Sequence, residues 1–299
     1  MIYFLGAQRH TNQIHAFLSH WGRELAGRIA TITYEHLLSG AQVKLPRGTY
    51  ILQSLGSDLG SRNPPSPARQ AIVRLRNFLV EHHGPQRVLN DPVTSLRRYN
   101  LLKTLRERGY NCFAAYRADR PGSPERYPVF LRLARGSMWN PPQLLRNEEE
   151  YRAAVARAGD LDGVLAVELC DTADSAGIYR KYASFIVGDR IVPRHLFFSR
   201  RWWVKEADLC EPAMLEEELA FLDTNPYAQT LLDAARIANI SYGRIDYAVL
   251  DGRPQVWEIN LSPLIATGIS SKLSERTPVH RKFVALFGAA LDAIDPPAA

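Results

Sequence analysis

Residues Arg244–Asn260 read RIDYAVLDGRPQVWEIN, and the rest of the chain can be interpreted outward from this stretch. Its two halves are rich in aromatic and β-branched residues, and the Asp-Gly-Arg-Pro segment between them is typical of turns. The pattern therefore predicts a β-hairpin. Side chains alternate between the two faces of a strand, so Glu258 and Asn260 should share one face and Trp257 should lie on the other.

The pairing across this hairpin depends on the length of its turn. A loop with an odd number of residues, centred on Gly252, places Asp246 opposite Glu258. A two-residue Asp-Gly turn would instead send these two carboxylates to opposite faces. Pro254 favours the odd loop, because proline cannot donate to the ladder and suits the first position of a strand. We therefore predict that the two carboxylates lie side by side.

The carboxylates of Asp246 and Glu258 and the carboxamide of Asn260 would then share one face of a sheet. Buried carboxylates repel each other and lose hydration unless a cation or hydrogen-bond donors compensate. Oxygen ligands without His or Cys suit Mg²⁺ or Mn²⁺, and magnesium usually takes only one or two protein carboxylates beside water and phosphate oxygens. The residues alone equally allow a solvated strand face on which the acids pair with Arg244.

Asp246, followed by the Glu-Ile-Asn-x-x-Pro motif of residues 258–263, resembles the metal-binding end of the ATP-grasp superfamily. The likeness is to ligases of the glutathione synthetase and ribosomal-protein glutamate ligase type. In that family an Asp on one strand and Glu-x-Asn on the next hold the magnesium ions of ATP. The resemblance thus implies that Asp246, Glu258 and Asn260 are the metal ligands, with Mg²⁺ or Mn²⁺ as the ion.

The resemblance also predicts the architecture. It implies an α+β chain with the ATP-grasp fold, in which two α+β subdomains within residues 86–295 clasp ATP. A small α/β domain, residues 1–85, would precede them, and alternating strand and helix patterns in the first 60 residues or so agree with it.

Two segments upstream fall in the family's order, and the resemblance implies that they bind the nucleotide. Arg132, in the middle of a short strand pattern, takes the place of a family lysine that contacts phosphates. A guanidinium binds phosphate through two parallel N–H donors, whereas a lysine acts as a point charge. Arg132 is therefore a departure from the family pattern. Another strand pattern ends at Glu168, Leu169 and Cys170. The resemblance implies that these residues bind the edge of the adenine ring. The alternative is an ordinary strand that leaves the core at an acidic end.

Three further cationic residues are expected to neutralise negative charge around the transferred phosphoryl group. Lys181 lies on the first strand of a predicted antiparallel pair, residues 178–187 and 191–198. The resemblance places Arg194, on the second strand, near that phosphoryl group. Arg244 would neutralise the remaining negative charge. Lys181 could otherwise lie on the outer face of its strand.

Other polar residues are expected to be structural. His195 should alternate to the face opposite Arg194, and Arg97, Arg98 and Lys103 read as the solvated face of a helix. The basic and aromatic segment 200–205 could stack on nucleic acid, but packing at the rim of the active site fits one short segment better.

Two loops are expected near the phosphates. Residues 134–137, Ala-Arg-Gly-Ser, are mostly small and could expose backbone N–H groups that attract anions. Residues 267–271 could meet phosphate or the second substrate.

Composition and charge indicate which partners and which cellular setting to expect. A net charge of +6 over 299 residues fits an enzyme that handles polyanions such as ATP. The arginines are spread along the chain without a basic stripe, so nucleic acid is not an expected partner. Three separated cysteines show no zinc spacing and favour a reduced, cytoplasmic setting. No apolar run approaches transmembrane length, so no membrane association is expected.

The leading hypothesis is an ATP- and magnesium-dependent ligase that joins a carboxylate to an amine through an acyl phosphate, with small-molecule or peptide substrates. Phosphoryl transfer depends mainly on positioning and charge neutralisation, which this set of residues can supply. A kinase on the same fold is one alternative. A nucleotide-binding protein without catalysis is another, because Arg132 replaces the lysine and Tyr99-Asn100 replaces a family Asp-Lys pair.

Overall fold

The computed structural model describes residues 1–39, 45–54, 67–91, 94–134, 136, 141–266 and 271–295, apart from the side chains of 68 and 271–273. The strands are β1 (Ile2–Gly6), β2 (Ile29–Thr33), β3 (Thr49–Leu52), β4 (Val88–Leu89), β5 (Ala115–Arg117), β6 (Val129–Leu133), β7 (Val164–Glu168), β8 (Tyr179–Val187), β9 (Arg190–Ser199), β10 (Tyr242–Leu250) and β11 (Arg253–Asn260). The α-helices are α1 (Gln8–His20), α2 (Tyr34–Leu38), α3 (Pro67–His83), α4 (Arg98–Glu107), α5 (Glu148–Ala158), α6 (Pro212–Thr224), α7 (Ala228–Ile237) and α8 (Thr277–Ile294). Short 3₁₀ turns cover Arg23–Leu25, Pro85–Arg87 and Ser271–Arg276.

The N-terminal part of the chain is a parallel sheet in the order β2-β1-β3-β4. Its central strands β1 and β3 are mostly apolar and buried, as expected when helices cover a parallel sheet. The domain boundary at residue 85 stays a prediction, and the last strand of this sheet, Val88–Leu89, follows it by a few residues.

A three-stranded antiparallel sheet, β5-β7-β6, forms the first half of the remaining chain. Helix α5 begins where the side chain of Asn147 accepts a hydrogen bond from the Glu150 N–H at 2.9 Å. Leu102 of α4 packs with Phe130 and Val167 on the face of this sheet that meets the rest of the molecule.

A four-stranded antiparallel sheet, β11-β10-β8-β9, forms the second half. Helices α6, α7 and α8 pack against it, and Phe185 of β8 meets Phe283 and Phe287 of α8. The same core reaches the N-terminal sheet, because Phe17 of α1 lies edge-on to Phe287. Among the helices of the described ranges, none is both long and apolar enough to cross a membrane.

The β10–β11 hairpin corrects the predicted turn and confirms the predicted pairing. The turn has two residues, Asp251 and Gly252, with φ of 49° and 73°, so the odd loop is wrong. The register then shifts beside Asp246, where a β-bulge leaves Trp257 without a partner. Because the bulge supplies the extra residue, Asp246 lies opposite Glu258 after all.

Candidate nucleotide and metal site

A cleft lies between the three-stranded sheet and the β8–β10–β11 part of the four-stranded sheet. It contains about 710 Å³ of empty space, counted out into the open solvent at its mouth. Its polar lining comes from the following side chains: Arg132, Glu168, Thr172, Lys181, Lys205, Asp246 and Glu258. Trp257 also lines it, so the prediction that Trp257 faces away from Glu258 is wrong, and the bulge is the cause.

Asp246 is buried at the base of this cleft and is held by two cations. The Nζ atom of Lys181 lies 2.9 Å from Oδ2, and Arg244 donates from Nε at 2.7 Å and from Nη2 at 3.1 Å. Burial alone would raise the pKa of Asp246, but Arg244 and Lys181 outweigh it and lower that pKa below its ordinary value. Asp246 is therefore ionised, and Lys181 lies on the inner face of its strand.

Glu258 is held in the same way by cations from the facing subdomain. Arg132 of β6 donates from Nη2 at 3.0 Å, and Arg98 forms a second ion pair with the same oxygen. Burial would raise the pKa of Glu258, but Arg98 and Arg132, followed by Lys181 and Arg244, hold that pKa well below its ordinary value.

Arg98 corrects the expectation of a solvated helix face. It begins α4 and is largely buried, and its Nη1 donates to the Leu133 carbonyl at 2.7 Å. Lys103, farther along the same helix, does lie in solvent, where it pairs with Glu107. The first turn of α4 thus carries a largely buried cation that pairs with Glu258, although periodicity alone assigned it to solvent.

Asn260, the third residue of the predicted oxygen set, is not among the residues that line the cleft. It pairs with Arg244 across the ladder, and its Oδ1 accepts a hydrogen bond from the Ser262 N–H at 2.9 Å. Nowhere in the described ranges do three or more His, Cys, Asp or Glu side chains gather as a metal site. Two carboxylates and one carboxamide nevertheless fit Mg²⁺, since this ion takes few protein carboxylates and draws its other ligands from phosphate and water.

The cleft carries an excess of positive charge. Five cationic side chains surround the two carboxylates, namely Arg98, Arg132, Lys181, Lys205 and Arg244. Lys205 was not singled out in the sequence. Its ammonium lies 4.7 Å from the Trp203 ring centroid, and burial lowers its pKa to about 8. Trp202 and Trp203 pack on Phe130 at the cleft, in agreement with a rim position for this segment.

Glu168 lines the cleft, but its carboxylate is already hydrogen-bonded within the protein. It accepts hydrogen bonds from the Ala114 N–H and the Tyr116 hydroxyl, both at 2.9 Å, and from Arg126. These bonds attach the end of β7 to the preceding segment. The role predicted for this side chain in adenine recognition stays a prediction.

Leu169 and Cys170 line the cleft at the predicted strand end. The Leu169 N–H already donates to the Pro128 carbonyl at 2.9 Å, and the Cys170 sulfur lies 3.5 Å from that of Cys112. The Leu169 amide is therefore paired within the protein. Adenine recognition by these residues stays a prediction.

Arg194 and His195 lie on β9, the strand beside β8 at the edge of the four-stranded sheet. A bulge at Arg194 shifts the register of β8 and β9, so that His195 pairs with Ala183, which in turn pairs with Asp246. His195 therefore shares a face with Asp246, and the bulge breaks the simple alternation that predicted His195 on the face opposite Arg194. Of the two predicted phosphate loops, positions 135, 137 and 267–270 lie outside the described residues.

Comparison with known proteins identifies the fold. No family model and no curated protein matches the chain. Among solved structures, it is similar to D-alanine–D-alanine ligase from Bacillus anthracis complexed with ATP (12% identity, TM-score 0.54, covering 98% of both chains). It is also similar to D-alanine–D-alanine ligase from Coxiella burnetii (14%, 0.55, covering 98% of this chain and 96% of that one). The ATP-grasp ligase PsnB, complexed with minimal precursor, Mg and ADP, is similar over 97% of this chain and 98% of its own (13%, 0.52). The chain therefore has the ATP-grasp fold, which confirms the α+β architecture expected from the sequence.

Proposed function

We propose that this chain is an ATP- and Mg²⁺-dependent ligase that joins a carboxylate to an amine through an acyl phosphate. One observation carries the proposal: two facing carboxylates lie among five cations in the cleft between the two sheets of an ATP-grasp fold. Such an excess of positive charge favours a polyanion, and a triphosphate supplies one. The structural neighbours named above are ligases, which supports this reaction class.

In this proposal Asp246, Glu258 and Asn260 hold the metal. When bound, Mg²⁺ supplies charge neutralisation at the phosphate oxygens. Arg132 and Lys181, which pair with the two carboxylates, turn to those phosphate oxygens and fix their positions.

The reaction proceeds in two displacements. An oxygen of the substrate carboxylate attacks the terminal phosphorus, the bond to the ADP oxygen breaks, and an acyl phosphate forms. The amine nitrogen then attacks the acyl carbon, the carbon–oxygen bond to phosphate breaks, and the amine loses a proton as the amide forms. In this proposal Arg244 and Lys181, which both pair with Asp246, stabilise the negative charge that develops during both steps.

A screen for ADP release over amino acids and small peptides, with mass spectrometry of the products, tests the proposal. We expect ADP and free phosphate together with an amide. Phosphate retained on a substrate hydroxyl would instead identify a kinase. ADP binding without turnover of any substrate would identify a non-catalytic nucleotide-binding protein, an alternative that the cation-paired carboxylates specifically favour.

We predict that metal binding depends on nucleotide. Asp246 and Glu258 are each engaged by two cations, so a metal ion alone must displace ion pairs, whereas ADP phosphates draw those cations away. Titration of Mn²⁺, followed by electron paramagnetic resonance, should give an affinity roughly 5- to 150-fold higher with ADP than without it. Equal affinities would contradict this coupling.

We predict that Arg132→Met weakens ADP binding by roughly 10- to 150-fold, because a charged hydrogen bond contributes about 1.5–3 kcal/mol. The fold should persist, since Arg98 still pairs with Glu258. Isothermal titration calorimetry measures the affinity. Arg190→Met, at an exposed position of β9, is the matched control and should leave ADP affinity unchanged. An equal loss in both variants would remove Arg132 from the phosphate site.

A further inference from the structure

Two cysteines lie close together beside the cleft. The sulfur atoms of Cys112 and Cys170 are 3.5 Å apart, both residues are half-buried, and neither is in a disulfide. We propose that they form a site of reversible oxidation by a peroxide, and that the resulting disulfide restricts the opening of the cleft. The effect on nucleotide exchange rests on the proposed function, whereas the disulfide and the restriction can each be tested without turnover.

The two cysteines occupy the two connections that join the three-stranded sheet to the rest of the chain. All strands of this sheet lie within residues 115–168. The chain therefore enters the sheet through residues 108–114, which contain Cys112, and leaves it through residues 169–178, which contain Cys170. Hinge motions are absorbed by a few residues in connections of this kind. A covalent bond between the two connections would prevent them from moving independently.

The backbone at Cys112 is attached to the opposite sheet. Its N–H donates to Gln255 Oε1 at 2.8 Å. The side chain of Asn111 donates to the Val256 carbonyl at 2.9 Å and accepts from the Val256 N–H at 2.8 Å. These partners belong to β11, whereas Cys170 follows β7 of the three-stranded sheet. A disulfide would therefore connect the two sheets that border the cleft.

The backbone geometry suits a disulfide. The Glu168 N–H donates to the Ala114 carbonyl at 3.0 Å, which extends the antiparallel pairing of β5 with β7. In the same register Cys112 lies opposite Cys170. Opposite residues have Cα atoms about 4.5–5.5 Å apart, which is within the range that a disulfide spans. The two sulfurs need to approach each other by about 1.5 Å to reach bonding distance.

The oxidation needs a peroxide and the two thiols. Burial, followed by the neighbouring Cys112, raises the pKa of Cys170 well above its ordinary value, so Cys112 supplies the attacking thiolate. Its sulfur attacks one peroxide oxygen, the O–O bond breaks, and a sulfenic acid forms as the first water leaves. The Cys170 sulfur then attacks the Cys112 sulfur, loses its proton, and displaces a second water. Two thiols thus lose two electrons, which reduce the peroxide to water.

The exchange of nucleotide is the step that the disulfide would slow. A nucleotide has to pass between the two sheets, and the ion pair of Arg132 with Glu258 joins them. An ion pair breaks and forms again readily, whereas a disulfide persists until it is reduced. We therefore expect oxidation to slow both the entry and the release of ADP. The equilibrium affinity should change less, because both rates pass through the same open state.

Peroxide treatment followed by peptide mass spectrometry tests the disulfide. We expect one disulfide, between Cys112 and Cys170, which dithiothreitol reduces again by thiol–disulfide exchange. Cys210 is half-buried like the other two cysteines and should keep its free thiol. Oxidation of Cys112 to higher acids without a disulfide, or a disulfide that includes Cys210, would overturn the proposal.

Two measurements follow the opening of the cleft. Stopped-flow fluorescence of a mant-labelled ADP should give association and dissociation rates roughly tenfold lower after oxidation, equivalent to about 1.4 kcal/mol on the opening step. Quenching of tryptophan fluorescence by acrylamide needs no nucleotide and should also decrease, because Trp203 and Trp257 line the cleft. Unchanged rates and unchanged quenching in protein that carries the disulfide would overturn the restriction.

Two variants connect the effect to this pair of cysteines. Cys112→Ala should exchange ADP at the rates of the reduced protein and should not respond to peroxide. Cys210→Ala removes a half-buried thiol outside the two connections and should keep the full response. A peroxide response that survives in Cys112→Ala, or one that is lost in Cys210→Ala, would refute the site.

Acrylamide quenching separates the failure of this inference from the failure of the proposed function. A disulfide that lowers quenching in a protein that binds no ADP would support the restriction and reject the nucleotide proposal. ADP binding in which neither the rates nor the quenching respond to the disulfide would do the reverse.

Discussion

Glu258→Gln should lower the rate of ADP formation by roughly 10²–10³-fold, the usual effect of removing one charged group that stabilises a transition state. The amide keeps the shape of the side chain but loses the negative charge that pairs with Arg98 and Arg132 and that would hold the metal. The fold should survive, because Arg132 lines an open cleft in which water and nucleotide phosphates can solvate it, and Arg98 keeps its hydrogen bond to the Leu133 carbonyl.

Steady-state ADP release with the substrates found in the screen measures this effect, and circular dichroism checks the fold. Asp251→Asn is the matched control, since it makes the same acid-to-amide change on the same hairpin at the exposed turn, where asparagine tolerates a positive φ. Full activity in Glu258→Gln would refute the assignment of this residue to the metal site. Equal losses in both variants would point to damage to the hairpin instead.

Glu218→Gln should lower the free energy of unfolding by about 3–5 kcal/mol, the usual cost of removing one partner from a buried ion pair. Glu218 accepts hydrogen bonds from Arg276 Nε at 2.9 Å and from the Leu196 N–H at 2.9 Å. The side chains of Glu218 and Arg276 are only 3% and 5% exposed, so water cannot replace the lost charge.

The adjacent residue supplies the control for this prediction. Glu217 pairs with Arg180 at 2.8 Å, but its side chain is 41% exposed, so Glu217→Gln should cost at most about 1 kcal/mol. Unfolding in urea, followed by circular dichroism, measures both values. Similar costs for the two variants would show that the Arg276 charge is not confined to a buried pair.

The hairpin shows how far the sequence could be interpreted. The pairing of Asp246 with Glu258 was predicted correctly, but through an odd loop that does not exist. An Asp-Gly turn and a bulge at Trp257 produce the same register, and strict alternation of side chains contains no signal for a bulge. The same limitation explains His195, since a second bulge beside it reverses the face that alternation assigns.

Arg98 and Lys205 were missed for a different reason. Both lie far along the chain from Asp246 and Glu258, and only the packing of α4 and of segment 200–205 over the cleft brings them near. The neighbouring residues in the sequence give one signal, since each of these cations adjoins aromatic or apolar residues that pack in or beside a core. Helical spacing of apolar residues finds the buried face of α4 but says nothing about its first turn, which meets the facing sheet.

The unpartnered Trp257 constrains how this chain can be compared with others. One residue inserted or deleted among residues 253–256 would exchange the inward and outward side chains of β11 while leaving the motif letters intact, unless the bulge at Trp257 changed with it. An alignment that opens a gap in this segment would therefore equate Glu258 with a residue on the wrong side of the sheet. Matching the length of this segment is as informative as matching the Glu-Ile-Asn letters.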